Sequence, residues 1–159
     1  MRDFEGKVAF ITGGSDGIGL AMAMTFVRKG MQVAIADLHQ DQLRDAEAML
    51  LRESPFVLAL RVDVADRRQM AWASRAVEEH FGKLHVLCNN AGAYSVAPAD
   101  TEDHAEWDWI LGVNLLGVIN GLLHFLPLIK SHAEGGHVVN TSSTARRSML
   151  SRVSRIACV

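Results

Sequence analysis

The sequence is poor in cysteine, with only Cys88 and Cys158 among 159 residues. Two cysteines are too few for a disulfide framework and too isolated for a metal site, so we expect a reduced, cytoplasmic protein with no metal centre. The first ten residues include acids and no long apolar stretch, which argues against a secretory signal. No apolar run reaches the roughly 20 residues of a membrane span, so no membrane partner is expected either.

A strong net charge is also lacking, since the formal value is −2. The charged and hydrophobic fractions, 21% and 49%, are ordinary for a globular domain and give no reason to expect nucleic acid as a partner. The charge is unevenly placed, because the last 15 residues contain four arginines and no acid. We therefore predict one domain over residues 1–144 and an aberrant basic tail over 145–159 that is disordered.

Short β-branched runs alternate with helical patterns along most of the chain. The predicted strands span residues 7–12, 31–37, 56–63, 84–92 and 135–143. The predicted helices span residues 17–30, 39–53, 66–82 and about 105–131, and Asp66 is the expected N-cap of the third. This alternation predicts an α/β fold built from βαβ units with a parallel sheet.

A glycine-rich turn, ITGGSDGIGLA, follows the first strand directly and opens the first helix. Gly13, Gly17 and Gly19 give it a G-x-x-x-G-x-G spacing. Glycines permit a tight turn and a close approach of the backbone to a pyrophosphate, which the free N–H groups of a helix N-terminus can bind. The strand–turn–helix setting favours a nucleotide site over a merely structural turn.

An acid follows where a dinucleotide site requires one. Asp37 ends the second predicted strand, 18 residues after Gly19. A carboxylate there accepts hydrogen bonds from the ribose hydroxyls and repels a 2′-phosphate. Asp16 adds a second negative charge inside the glycine turn, so both acids favour NAD over NADP. The alternative is that Asp37 only caps the turn that follows it.

Five motifs together resemble the short-chain dehydrogenases/reductases in order and spacing. They are TGGSDGIG (12–19), DV (63–64), NNAG (89–92), VNLLG (113–117) and VVNTSS (138–143). The resemblance implies a three-layer, Rossmann-type, doubly wound parallel sheet of about five strands, incomplete at its C-terminal side. It also implies a nicotinamide cofactor and hydride transfer between an alcohol and a carbonyl.

The resemblance assigns the cofactor-binding residues by position. They are Gly13, Ser15, Asp16, Gly17, Ile18, Gly19, Asp37, Asp63, Val64, Asn90, Ala91 and Gly92. Asp63 and Val64 fall beside the adenine ring, residues 90–92 line the cofactor ribose, and Asn89 helps to hold the sheet together. For Asn89 and Asn90 the alternative is an Asx-turn after the strand, which needs no ligand.

Only part of the family's catalytic set has a match. The resemblance assigns Asn114 to the asparagine that anchors a catalytic water, and Ser143 to the serine that holds the substrate oxygen. The alternative for Asn114 is a core amide bonded to a backbone carbonyl. The alternative for Ser143 is an ordinary serine in a strand-ending turn, and Ser142 takes the family's position if the register is off by one residue. The family's Tyr-x-x-x-Lys pair has no match, since Tyr94 is the only tyrosine and Lys130 the last lysine. Arginine cannot replace that lysine.

The resemblance stops near Thr144, where the hydrophobic period gives way to arginine and serine. This pattern is typical of translation in another frame, and a genuine basic tail is the alternative. We expect the chain to be inactive as it stands, with a non-catalytic NAD-binding protein or a non-functional fragment as alternatives. The fifth strand is expected at an exposed sheet edge, and the run 115–129 is expected to leave an apolar patch that favours association.

Residues 106–129 resemble more closely the bacterial members that oxidise benzylic secondary alcohols in lignin-derived aryl ethers. The expected partner is therefore a small-molecule alcohol or ketone, and an aromatic one would suit Tyr94, Trp107 and Trp109. Core packing is the alternative for these aromatic residues. Members of the family form homo-oligomers; for this chain the exposed apolar run predicts either marginal stability or association.

Overall fold

The computed structural model describes residues 3–95 and 104–142. The basic tail and Ser143 lie outside the described residues, so the predictions made for them stay predictions. Within the described part, each predicted helix and strand is present, and most bounds differ from the expected ones by a few residues.

Five parallel strands form one sheet, in the order β3-β2-β1-β4-β5. They are β1 Val8–Thr12, β2 Gln32–Asp37, β3 Val57–Arg61, β4 Val86–Asn89 and β5 His137–Asn140. The order reverses between β1 and β4, so β1 lies at the centre and all five of its residues are buried. Burial on both faces explains why β1 reads as one continuous apolar run. The predicted Rossmann-type parallel sheet is confirmed, and β5 lies at one edge.

Helices cover both faces of this sheet. They are α1 Gly17–Arg28, α2 Gln40–Leu51, α3 Arg67–Phe81, α4 His104–Leu111 and α5 Gly117–Ser131. Asp66 caps α3 as predicted, since its carboxylate accepts from the backbone N–H groups of Arg68 and Gln69. The fourth predicted helix is continuous but irregular, because Gly112–Leu116 forms a π-helical turn between α4 and α5. The sequence pattern did not predict that wider turn.

The alternation of side chains along β1 divides the core between two layers. Phe10 belongs to the core cluster on the α3 and α5 side, where its ring stacks on Phe125 with centroids 4.1 Å apart. Ile11 belongs to the cluster on the α1 and α2 side. Cys88 is buried in this second cluster, and burial raises the pKa of its thiol to about 11. The three-layer arrangement is thus set by strand alternation.

The helix from His104 to Ser131 buries some of its apolar side chains in the core and exposes others. By length and composition alone this helix could cross a membrane, since its mean hydropathy is 1.7 over a window of 18 residues. The expectation that no apolar run is long enough for a membrane span is therefore wrong. Phe125 and Leu128 on one face are buried in the core. Leu115, Ile119 and Leu123, spaced four residues apart, are 36%, 40% and 62% exposed. The predicted apolar patch is therefore present.

Candidate functional site

Four neighbouring strands end at one cleft with a volume of about 370 Å³. Its walls come from the segments that follow β1, β2, β3 and β4, together with Trp109 of α4 and Val113 of the π-helical turn. Ligands bind at this place in open parallel sheets, outside the carboxyl ends of the strands where the strand order reverses. The predicted residues that line it are Gly13, Ser15, Asp16, Gly17, Asp37, Asp63, Val64, Asn90, Ala91 and Gly92.

The two remaining predicted cofactor residues, Ile18 and Gly19, do not line the cleft. Ile18 is 65% exposed on the first turn of α1. Gly19 is buried against the glycine turn, and a Cβ placed on it would stand 1.9 Å from the carbonyl oxygen of Gly13. Gly19 therefore lets α1 pack closely against the end of β1. Gly13, at φ +62°, gives the turn a backbone conformation that favours glycine.

The start of α1 has a buried hydroxyl that is available to a phosphate, whereas the N-cap already engages one backbone N–H. Asp16 is the N-cap, and its carboxylate accepts from the Gly17 N–H at 2.7 Å. The hydroxyl oxygen of Ser15 is buried and has no hydrogen-bond partner among the described residues. A buried hydroxyl without a partner is costly, and a phosphate oxygen in the cleft would accept its hydrogen bond. The residues present therefore fit a pyrophosphate-containing cofactor.

The Asp37 carboxylate makes the turn-capping bond that was the alternative to ribose binding, and it makes a second bond to the glycine turn. One carboxylate oxygen accepts from the backbone N–H of His39 at 3.2 Å, which is the turn-capping bond. The other oxygen lies 3.4 Å from the backbone nitrogen of Ser15, across the gap between β2 and the glycine turn. Because Asp37 also lines the cleft, capping the turn does not remove its carboxylate from the site.

Asn90 ties the end of β4 to the glycine turn rather than forming an Asx-turn of its own. Its side-chain N–H₂ group donates to the carbonyl oxygens of Thr12 and Gly13, both at 3.2 Å. Its side-chain oxygen accepts from the Thr141 hydroxyl at 3.0 Å. These bonds fix the loop after β4 against the loop after β1. The neighbouring Asn89 donates across the sheet to the Asn140 side chain of β5 at 2.9 Å, as its predicted structural role requires.

Asn114 lies in the π-helical turn and bonds the loop after β4. Its side-chain oxygen accepts from the Ala93 N–H, and its N–H₂ group donates to the Ala93 carbonyl, both at 2.8 Å. The amide thus makes the backbone contact that was the alternative to a catalytic role. It also places the helix next to Gly92 at the β4 end of the cleft, where Asn114 Oδ1 would be 3.7 Å from a Cβ on that glycine. Tyr94, two residues along the chain, is 71% exposed.

The described lining of the cleft is acidic. It includes Asp16, Asp37 and Asp63, and no lysine or arginine among the described residues. The sequence did not assign Leu38, His39, Gln42 and Val113 to this cleft, and it connected Trp109 with an aromatic substrate. Leu38 and His39 directly follow Asp37, and Trp109 precedes Val113 by one helical turn. Adjacency to the predicted acid and helical spacing were therefore the signals that could have found them.

A second cluster, at the opposite ends of the strands, has the spacing of a metal site. The nearest ligand atoms of His85, His132 and Glu134 all lie within 4.8 Å of one another. The Val8 N–H donates to His85 Nδ1 at 3.0 Å, so the proton of that ring is on Nε2, which contacts Glu134 at 3.0 Å. His85 therefore has no lone pair to offer a metal ion.

His132 is occupied in the same way. Its Nε2 lies 2.7 Å from the Leu84 carbonyl oxygen and so carries the proton, while its Nδ1 accepts from the Glu134 N–H at 3.2 Å. The Glu134 carboxylate also pairs with Lys7 at 2.7 Å and with Lys83. This cluster is an ion-pair network that fastens the α5–β5 connection to the starts of β1 and β4.

Comparison with known proteins agrees with this geometry. The family model described as short chain dehydrogenase matches residues 7–154. The C alpha-dehydrogenase of Sphingobium sp. strain SYK-6 is 38% identical over 144 residues, which are 90% of this chain and 47% of that protein. The chain therefore spans about half the length of the curated relatives it matches.

Two solved structures are similar over nearly the same part of the chain. The LigD apo form from Sphingobium sp. strain SYK-6 has a TM-score of 0.86 at 37% identity, covering 89% of this chain and 61% of that one. A short chain dehydrogenase/reductase from Burkholderia phymatum, solved in complex with NAD, has a TM-score of 0.90 at 36% identity, covering 97% of this chain and 54% of that one.

Proposed function

The chain belongs to the short-chain dehydrogenase family, and we propose that its cleft binds NAD in preference to NADP. The unpartnered Ser15 hydroxyl at the start of α1 is the observation that carries the proposal, because it needs an acceptor that the described protein does not supply. The preference for NAD is supported by Asp37, whose carboxylate lines the same cleft and would repel a 2′-phosphate.

The bound cofactor would supply hydride chemistry between an alcohol and a carbonyl, and the chain's own residues position it. The Ser15 hydroxyl and the N–H groups at the start of α1 bind phosphate oxygens. The Asp37 carboxylate accepts hydrogen bonds from the ribose hydroxyls, while Asp63 and Val64 flank the adenine. Asn90 keeps the two loops that face the cofactor together through its bonds to Thr12 and Gly13.

The test is a titration of the purified 159-residue protein with NADH and NADPH, followed through nicotinamide fluorescence. A saturable signal with NADH and a weaker one with NADPH are expected. No saturable signal with either would overturn the proposal, and equal affinities would overturn the preference. The dehydrogenase relatives also support a small-molecule alcohol as the proposed substrate class. The resemblance of residues 106–129 to the dehydrogenases of benzylic alcohols supports aromatic secondary alcohols within that class.

We further propose that the 159-residue chain binds the cofactor without turning over substrate. The side-chain amide of Asn114 forms hydrogen bonds with the backbone of Ala93. Tyr94, the only tyrosine of the sequence, is 71% exposed. Neither arrangement provides the buried phenol and lysine that the family uses. The assay measures NADH formation with aryl secondary alcohols, where a background rate is expected; a clear rate that the Tyr94→Phe variant loses would show that Tyr94 donates the proton and would refute the proposal.

For the assembly and compartment, the proposal is a self-associating, cytoplasmic protein. The exposed face of Leu115, Ile119 and Leu123 supports association, because three large apolar side chains in one line favour burial against another surface. The buried thiol of Cys88 is compatible with a reducing compartment.

A further inference from the structure

Part of the cleft lining is apolar and exposed. Leu38, just after β2, is 45% exposed, and Trp109, on α4, is 50% exposed. Both side chains line the cleft, together with Val64 and Val113. Large apolar side chains that remain exposed inside a cleft mark a surface for a ligand rather than a packing site.

Contacts of the long helix place Trp109 at the β3 side of the cleft. The Asn120 side chain donates to the Val64 carbonyl oxygen at 2.8 Å. A Cβ on Gly117 would lie 2.8 Å from the Val64 side chain, and one on Gly112 would lie 3.4 Å from Ala65. The helix therefore rests on the loop that follows β3. Trp109 precedes Gly112 by three residues, so it shares the face that looks toward this loop.

The chemistry of the cleft changes across the sheet edge. The glycine turn, with its backbone donors and the Ser15 hydroxyl, follows the central strand β1. The Asp37 carboxylate follows β2, where it suits ribose hydroxyl groups, and Asp63 and Val64 follow β3. The lining also includes Leu38 and Trp109, which suit a flat ring with apolar faces and a polar edge.

On the basis of the proposed NAD binding, we propose that Trp109 stacks on the adenine ring of the cofactor and contributes to the affinity for its adenine half. Leu38, in the loop after β2, is the other large exposed apolar side chain of the lining. The indole offers a rigid π-surface, and stacking of a base on such a side chain stabilises the complex without reading the hydrogen-bonding edge of the base. This role assigns Trp109 to the cofactor and leaves it unavailable as a contact for an aromatic substrate.

The experiment compares variants by calorimetric titration with three probes: NADH, ADP and the reduced nicotinamide mononucleotide, which has no adenine. The Trp109→Ala variant is expected to bind NADH and ADP on the order of 10-fold more weakly and the mononucleotide unchanged. Trp109→Phe is expected to retain most of the NADH affinity. The matched control is Trp72→Ala, because Trp72 is also 50% exposed but lies on α3 and does not line the cleft.

A second measurement does not depend on how well the alanine variant folds. The chain has three tryptophans, so the double variant Trp72→Phe, Trp107→Phe leaves Trp109 as the only one. Its fluorescence is expected to change saturably with ADP and not with the mononucleotide. Unchanged fluorescence at saturating NADH, or equal NADH affinities of wild type and Trp109→Ala, would overturn the role of Trp109. Absence of NADH binding by the wild type would instead overturn the proposed function.

Discussion

A carboxylate oxygen of Asp37 lies 3.4 Å from the backbone nitrogen of Ser15. This contact joins the end of β2 to the glycine turn after β1, and it sets an acid beside the donors that would bind a pyrophosphate. The same residue caps the turn at His39 through its other oxygen. The position of the carboxylate is thus determined by the protein before any ligand binds, which favours a selective ribose site.

The first prediction concerns the charge of Asp37. Asp37→Asn keeps an oxygen that can accept from His39 but removes the negative charge, so it should weaken NADH binding on the order of 10-fold, because hydrogen bonds to charged groups contribute about 1.5–3 kcal/mol. NADPH binding should weaken less or improve. The measurement is the ratio of the two dissociation constants. Asp41→Asn is the matched control, since the Asp41 side chain is 98% exposed on α2; an unchanged ratio for Asp37→Asn would contradict the role of the carboxylate.

The second prediction concerns the approach of Gly19 to Gly13. The Gly19→Ala variant puts a methyl group 1.9 Å from a backbone carbonyl oxygen, so α1 must shift. We expect a loss of about 3 kcal/mol in the free energy of unfolding, at the upper end of what overpacking costs. Urea denaturation provides the measurement. Gly112→Ala is the control, because its Cβ would meet Ala65 only at 3.4 Å; equal stabilities of the two variants would show that the close approach is not needed.

The third prediction is that the folded state loses stability as the pH falls. Hydrogen bonds from Lys7, Lys83 and His85 hold the pKa of the Glu134 carboxyl well below its usual value of 4.5. Burial lowers the pKa of the His85 imidazole below its usual 6.5. Both groups bind fewer protons in the folded protein than in the unfolded chain, so the free energy of unfolding should fall as pH drops below about 6.5 and again below about 4.5.

A variant isolates the carboxylate's share of this effect. Glu134→Gln cannot ionise, so its free energy of unfolding should be lower than that of wild type at neutral pH and should fall less between pH 5 and pH 3. Urea denaturation at a series of pH values checks both parts. Glu79→Gln, at an exposed position on α3, should follow the wild-type curve. If the free energies of unfolding of wild type and Glu134→Gln changed in parallel with pH, Glu134 would not be a source of the pH dependence.

The fourth prediction concerns the apolar face of α5. Leu123 is 62% exposed and lies in line with Leu115 and Ile119. Leu123→Lys places a charge in the middle of any surface that buries this face, so we expect weaker self-association by sedimentation velocity across a concentration series. Leu51→Lys, 47% exposed on α2, is the matched control. Association that survives Leu123→Lys would locate the interface elsewhere.

Much of this fold could be predicted because its signals are local. The buried run of β1 and the glycine turn before α1 are each contained in a few consecutive residues. The π-helical turn at Gly112–Leu116 could not be predicted, since nothing in the local apolar spacing distinguishes it from an ordinary helix. Its cause is partly tertiary, because Asn114 in that turn bonds Ala93 in a different loop.

The same contrast between local signals and tertiary contacts explains which features in and around the site could not be predicted from the sequence. Lys7, His85 and Glu134 are far apart in the sequence, and only the parallel register of β1, β4 and β5 brings them together. Trp109 was noticed as an aromatic residue but was connected with a substrate. The packing of its helix on the loop after β3 depends on the contacts of Gly117 and Asn120 with Val64, which no sequence pattern encodes.

The central claim is that NAD occupies the cleft at the carboxyl ends of the strands. The most direct test is a titration of the ¹⁵N-labelled protein with NAD, followed by the amide resonances. The account predicts saturable shifts for the amides of residues 13–17, 37–39, 63–65 and 90–93, and none for residues 132–136 at the opposite ends of the strands. Shifts confined to the latter segment, or no saturable shifts at all, would contradict it.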